Sequence, residues 1–160
     1  MMMRQKEPRS RRFLKAALLL VLLLPLIGPL ALISVTAYLF HRISLYLLVW
    51  TLWLPKGKDI LIVYSDSPIW HEYMTTEVLP LVQTRAVVLN WSERKKWNRF
   101  SLGAQVFHYL GGSSEFNPLV ILFRPFCKAK AFRFWVPFGD WERGHREPVE
   151  RLRQELLSVL

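Results

Sequence analysis

Six polar residues that follow apolar runs are the first candidates for chemistry: Ser65, Asp66 and Ser67 in "VYSDSP", Asn90 and Ser92 in "VLNWSE", and Arg124 in "ILFRP". In open parallel sheets ligands bind beyond the carboxyl ends of the strands, so short β-branched runs ending in such residues would gather them at one edge. Hydroxyls, free backbone N–H groups at two helix starts and one guanidinium would together hold an anion, a phosphate or a carboxylate. Capping explains the Ser and Asp residues equally well, and solvation explains an Arg that ends a strand. "SDSP" is neither a GxGxxG nor a Walker phosphate loop, and no cofactor is expected.

Other reactive groups have less context. Asp66 and His71 would form an acid/base pair, against a solvated or capping role for a His on a first helical turn. Asp140, Glu142 and His145 in "GDWERGH" have metal-capable side chains, but Arg143 and Arg146 are interleaved and no pair has i, i+4 spacing, so no metal is expected. Cys127 is the single cysteine. The fold therefore uses no internal disulfide; Arg124, Lys128 and Lys130 nearby would favour a thiolate, but a buried or merely tolerated cysteine is the commoner case.

A second constellation is the basic–aromatic stretch "WSERKKWNRF". Arg94, Lys95, Lys96 and Arg99 interleave with Trp91, Trp97 and Phe100, a composition suited to anionic headgroups or to nucleic acid. No recognised nucleic-acid module accompanies the charge, so Arg94, Lys95, Lys96, Trp97 and Arg99 are expected to touch a membrane surface. A solvated helix start with its tryptophans in the core is the competing reading.

The elements that must position these groups read as α/β. Apolar runs at 60–64, 86–89 and 119–123 suit buried strands. Ser67 and Pro68 read as N-cap and first position of a helix reaching about Val82, and Ser92 as a second N-cap. "SLGAQVFHYLGG" reads as a helix closed by Gly111 and Gly112. Alternating strands and helices with short loops predict a small Rossmann-like, mostly parallel sheet of three to four strands in the order 2-1-3, with helices on both faces. "AFRFWVPF" alternates as an edge strand, with Phe132, Phe134 and Val136 inward. Pro148 opens a last helix that aligns Val149, Leu152, Leu156 and Leu160.

Before this domain, at 58–160, the chain is organised by charge. The tail 1–15 carries Arg4, Lys6, Arg9, Arg11, Arg12 and Lys15 against Glu7, and residues 16–40 carry no charge. Twenty-odd apolar residues beside a basic cluster read as a transmembrane helix with a cytoplasmic N-terminus. A secretory signal is too short a pattern for this run. His41 and Arg42 then mark an interface, because Arg42 near a bilayer centre costs about 2.5–3.5 kcal/mol. Residues 41–57 read as an interfacial or stalk helix with Tyr46, Trp50 and Trp53 on one stripe, and packing of that stripe on the globular domain accounts for it equally well. The alternative is a re-entrant hairpin bent at Pro25 to Pro29, which would leave the domain cytoplasmic.

Charge of +10 and a hydrophobic fraction of 52% exclude a disordered chain and an average soluble one. The sequence thus points to a membrane-anchored α/β binding or interaction module whose partner is the lipid bilayer, with an enzyme acting on a nucleotide or phosphorylated substrate as the alternative. If residues 16–40 span a bilayer, alkaline carbonate washing leaves the full-length chain in the membrane pellet; release into the supernatant rejects the span.

Overall fold

The computed structural model describes residues 9–112 and 117–160, with side chains at Lys15, Val21 and Pro25 and from Ile27 onward. Arg4, Lys6 and Glu7 of the basic tail lie outside the described residues. The chain divides into two compact units, Met1–His41 and Arg42–Leu160.

The first unit holds most of helix α1, Arg9–Leu48, which passes through Pro25 and Pro29 without interruption. Its described apolar side chains are exposed, among them Leu30, Leu32, Ile33, Val35, Leu39 and Phe40. A helix that is apolar all round finds no partner in water. The helical run Ile27–Lys56, 30 residues, is long and apolar enough to cross a membrane by length and composition.

In the second unit the helical chain widens into a π turn at Val49–Trp53 and tightens into a 3₁₀ turn at Leu54–Lys56. Pro55 supplies the cause: it lacks an N–H and its ring crowds the carbonyl four residues back. Gly57, at φ 69°, turns the chain into strand β1, Ile60–Tyr64. There follow α2 (His71–Tyr73), a π turn at Met74–Val78, α3 (Leu79–Val82), β2 (Ala86–Asn90), a 3₁₀ turn at Trp91–Lys96, α4 (Leu102–Leu110), β3 (Leu119–Leu122), β4 (Lys130–Arg133), α5 (Trp135–Trp141) and α6 (Glu147–Leu157).

The four strands lie in the order β2-β1-β3-β4. The order 2-1-3 is as the sequence predicts, with β4 added beside β3, but the sheet is mixed rather than mostly parallel. Among the described strands β1 and β2 alone are parallel, in the register Ile60↔Ala86 to Tyr64↔Asn90. β3 runs against β1, pairing Leu119 with Val63 and Leu122 with Ile60, and β4 runs against β3. The reason lies in α4. A methyl group placed on Gly103 would meet Leu89 at 3.5 Å and Val87 at 3.6 Å, and one on Gly111 would meet Leu119 at 3.1 Å. The nine-residue helix therefore crosses the sheet from β2 to β3 at the end where β2 finishes, and β3 must start there and run back. A parallel β3 requires a crossover that descends the length of the sheet.

β1 is buried on both faces, as its uninterrupted apolar run requires. Ile60 and Ile62 face a core shared with Met74, Val78, Phe132, Phe134, Phe138, Val149 and Leu156. Leu61 and Val63 face a second core with Leu45, Val49, Val106, Phe107, Leu119 and Ile121. The predicted edge strand is shorter than its alternation suggests: Phe134 donates its N–H to the Pro118 carbonyl at 3.0 Å, and the chain turns into α5. Helical spacing buries Phe134 and Phe138 together and leaves Val136 exposed, which a strand would have buried. The helix after β1 starts at His71, not Pro68. The Ser67 carbonyl, rather than its hydroxyl, receives the Trp70 and His71 N–H groups.

α6 closes one face through a polar chain. The Tyr73 hydroxyl donates to Glu150 Oε1 at 3.0 Å, and Arg153 bridges Glu150 Oε2 at 3.2 Å and Glu77 Oε2 at 3.1 Å. Burial, and then the bond to Glu150, push the Tyr73 phenol above its ordinary value of 10.0. The unfolded chain ionises this phenol first, so its contribution to stability is complete below about pH 10 and is lost as pH rises toward the folded value. Urea midpoints of the full chain in detergent should therefore fall more between about pH 8 and about pH 11 in the wild type than in Tyr73→Phe. Equal falls would show that the phenol is not perturbed.

Candidate functional site

The ends of the parallel pair bring together most, not all, of the residues singled out by sequence. Asn90 ends β2 and caps the following 3₁₀ turn, its Oδ1 accepting the Ser92 N–H at 2.9 Å. The cap is thus Asn90 and not Ser92. The freed Ser92 hydroxyl accepts the Asp66 N–H at 2.9 Å, and Asn90 Nδ2 donates to Asp66 Oδ1 at 2.8 Å. Ser65 is buried and its hydroxyl accepts the Trp70 indole N–H at 3.0 Å. His71 Nδ1 stands 3.5 Å from Asp66 Oδ1, with its ring against Tyr64. The Asp66–Asn90–Ser92 triangle locks the β1 loop to the β2 loop, which is the work of turn-forming polar groups.

Arg124 is not part of this cluster. Because β3 is antiparallel, its carboxyl end lies beside the start of β1: Phe123 N–H donates to the Asp59 carbonyl at 2.8 Å, and the Arg124 guanidinium donates to the Val159 carbonyl at 2.6 Å. At that same end Arg85 forms an ion pair with Asp59 and donates to the Leu160 carbonyl at 2.9 Å. The guanidinium needed to complete an anion site at the Ser65–Asp66 edge is therefore absent from it.

The basic–aromatic stretch forms a groove of about 640 Å³. One wall is the 3₁₀ turn Trp91–Lys96 and the loop after it; the other is the outer side of α4, with Ala104, Gln105, His108 and Tyr109. Trp91, Trp97 and Phe107 meet edge to face at 5.4–5.9 Å between centroids and make its base. The Trp97 indole N–H donates to the Asn90 carbonyl at 3.1 Å, so the groove is tied to the capped end of β2. Arg94 lies 4.9 Å over the Trp91 ring, a cation–π contact that fixes the guanidinium at the rim. Gln105 Nε2 donates to the Arg99 carbonyl at 2.5 Å and holds the loop against α4.

Of the five residues expected at a membrane surface, Arg94, Lys95, Trp97 and Arg99 line this groove. Lys96 instead pairs with Glu93 at 2.7 Å, and that hydrogen bond raises its pKa. Among the described residues no carboxylate pairs with Lys95 or Arg99. Phe100 is 90% exposed at the mouth. Sequence reasoning missed the α4 wall, because a face is a property of two packed elements; the polar Gln105 and His108 on an otherwise apolar helix were the available signal.

The remaining candidates are dispersed. Asp140 pairs with Arg143 at 3.6 Å, and among the described residues no three His, Cys, Asp or Glu side chains form a metal-holding group. Cys127 is exposed. No protein-family model matches the chain, and no curated protein or solved structure is significantly similar to it.

Removing the Asn90 side chain deletes a cap and a cross-loop bond together. Asn90→Ala should cost about 1–2 kcal/mol in stability and should speed amide exchange across 91–97. Unchanged exchange there would show that the groove wall is held by other contacts.

Proposed function

We propose that the chain is a single-pass, membrane-anchored α/β binding module whose basic–aromatic groove takes a phosphate-bearing ligand. The observation that carries this reading is Lys95 and Arg99 standing without carboxylate partners among the described residues, beside the half-buried rings of Trp91 and Trp97 and the exposed Phe100. Such a surface combines charge for phosphate oxygens with ring faces for an apolar or aromatic body. Its volume falls within the roughly 300–1,000 Å³ of small-molecule sites.

The anchor reading is supported by the uncharged run 16–40 and by the continuity of α1 through Pro25 and Pro29, since a hairpin requires a turn there. The N-terminal basic cluster favours a cytoplasmic tail and an extracytoplasmic domain. Impermeant thiol reagents read the orientation through a cysteine placed at exposed Arg151 in a Cys127→Ala background. The enzymatic reading, with chemistry at the Ser65–Asp66 edge, receives less support: Asp66 is engaged by Asn90 and Ser92, and Arg124 lies at the other end of the sheet.

The test uses the full chain in neutral phosphatidylcholine nanodiscs, with tryptophan fluorescence as the readout. Inorganic pyrophosphate should perturb the Trp91–Trp97 signal if free phosphates are the ligand, and phosphatidylserine in the disc should do so if headgroups are. In either arm, Lys95→Glu with Arg99→Glu should weaken binding at least about tenfold, and added salt should weaken it further. Equal responses from wild type and double variant, or none from either, reject the groove as an anion site.

A further inference from the structure

The segment just past the proposed span is apolar on its outer side as well as its inner side. Leu45 and Val49 are buried in the domain core, while Ile43, Leu47, Leu48 and Leu52 are exposed. At about 100° per residue, Ile43 and Leu47 share an arc whose edge is Trp50. On Trp50 rests Phe126, from the loop between β3 and β4, with 5.2 Å between ring centroids. Tyr46 fixes the same loop, its hydroxyl accepting the Ala129 N–H at 3.3 Å.

Phe126 carries two costs at once. It is 90% exposed, and its backbone sits at φ 59°, a region that bulky L residues rarely adopt. Strain of this kind marks segments shaped for contact with something else. The two segments are basic in sequence. Residues 40–57 and 123–134 contain no Asp or Glu, and they supply Arg42, Lys56, Arg124, Lys128, Lys130 and Arg133, of which Lys130 pairs with Glu155 of α6 at 2.9 Å.

The geometry points to the bilayer interface as the occupant of this surface: Phe126 and the arc of Ile43 and Leu47 enter the boundary between headgroups and acyl chains, and the domain rests on its own membrane by the β3–β4 loop. The inference rests on the anchor reading above. Lipid is favoured over a protein partner because Ile43 and Leu47 follow directly in sequence on the uncharged run 16–40 read as the span, and because the basic residues of these segments complement lipid phosphates. The loop belongs to the β4 side of the sheet, whereas α4 brings the groove wall over β2. Contact at one edge leaves the other open to a ligand.

Cys127, adjacent to Phe126, provides the probe. In the full chain reconstituted into liposomes with anionic lipid, a fluorophore on Cys127 should be quenched by nitroxide lipids labelled near the headgroup and shielded from aqueous iodide. The same fluorophore at Arg151→Cys in a Cys127→Ala background, on α6 at the opposite face of the sheet, should show the reverse. Phe126→Gly, which accepts the positive φ without strain, should reduce lipid quenching severalfold while leaving the urea midpoint unchanged or higher. If the Cys127 probe is as open to iodide as the one at position 151 while the chain still resists carbonate extraction, the surface contact is rejected and the anchor stands. Carbonate extraction of the chain rejects both.

Discussion

Helix α4 has nine residues, about 14 Å of rise, and it lies across the sheet, with Gly103 near Val87 and Leu89 of β2 and its C-cap Gly111 near Leu119 of β3. That close approach fixes the direction of everything after it. The chain arrives at β3 on the side it left β2, so β3 returns toward the start of β1 and β4 climbs again. Phe123 and Arg124 then meet Asp59 and the C-terminal turn, while Arg133 reaches the Gly111 carbonyl at 2.8 Å near the end of α4. The length and placement of α4 thus decide which loops share an edge, and through that which side chains can act together.

The buried strands were legible because burial on both faces leaves an uninterrupted apolar record. Ile60–Tyr64 has no polar interior residue, and the first four positions are fully buried. Likewise α4 and α6 announce themselves by Ser101, whose hydroxyl accepts the Ala104 N–H, and by Pro148 in the first turn. Strand direction leaves no such mark, since Leu119–Leu122 reads the same in either sense. Only the packing of α4, set by contacts between residues distant in sequence, separates the parallel from the antiparallel alternative. Trp135 and Val136 illustrate a second limit: four alternating residues followed by a helix mimic a longer strand, and the period changes at Phe134 without punctuation.

The candidate site was legible in part for related reasons. Asn90, Ser92 and Asp66 are local turn chemistry, so their grouping follows from two adjacent parallel strands. Arg124 was misplaced by the same error of direction that misplaced β3. The groove combines one wall whose composition stands out in sequence with another whose outward residues, Gln105 and His108, acquire meaning only once α4 is laid across the sheet. Its aromatic base is shared with the domain core through Phe107, which is buried. Rigidity is the consequence: the rings that would meet a ligand are held by the same contacts that hold the fold.

Both π turns occupy equivalent places, Val49–Trp53 one residue before Pro55 and Met74–Val78 one residue before Pro80. In each, the leucine between turn and proline donates its N–H five residues back, Leu54 to Val49 and Leu79 to Met74. A π turn is an α turn holding one surplus residue, and it leaves the flanking helical faces in phase. Loss of a residue elsewhere in these segments would rotate all that follows by about 100° and turn Val49 or Val82 toward solvent. Loss within the π turn restores ordinary helix and keeps the buried stripe in place. Chain length is therefore most forgiving at these two points, where single-residue deletions between related chains would leave the core packing intact.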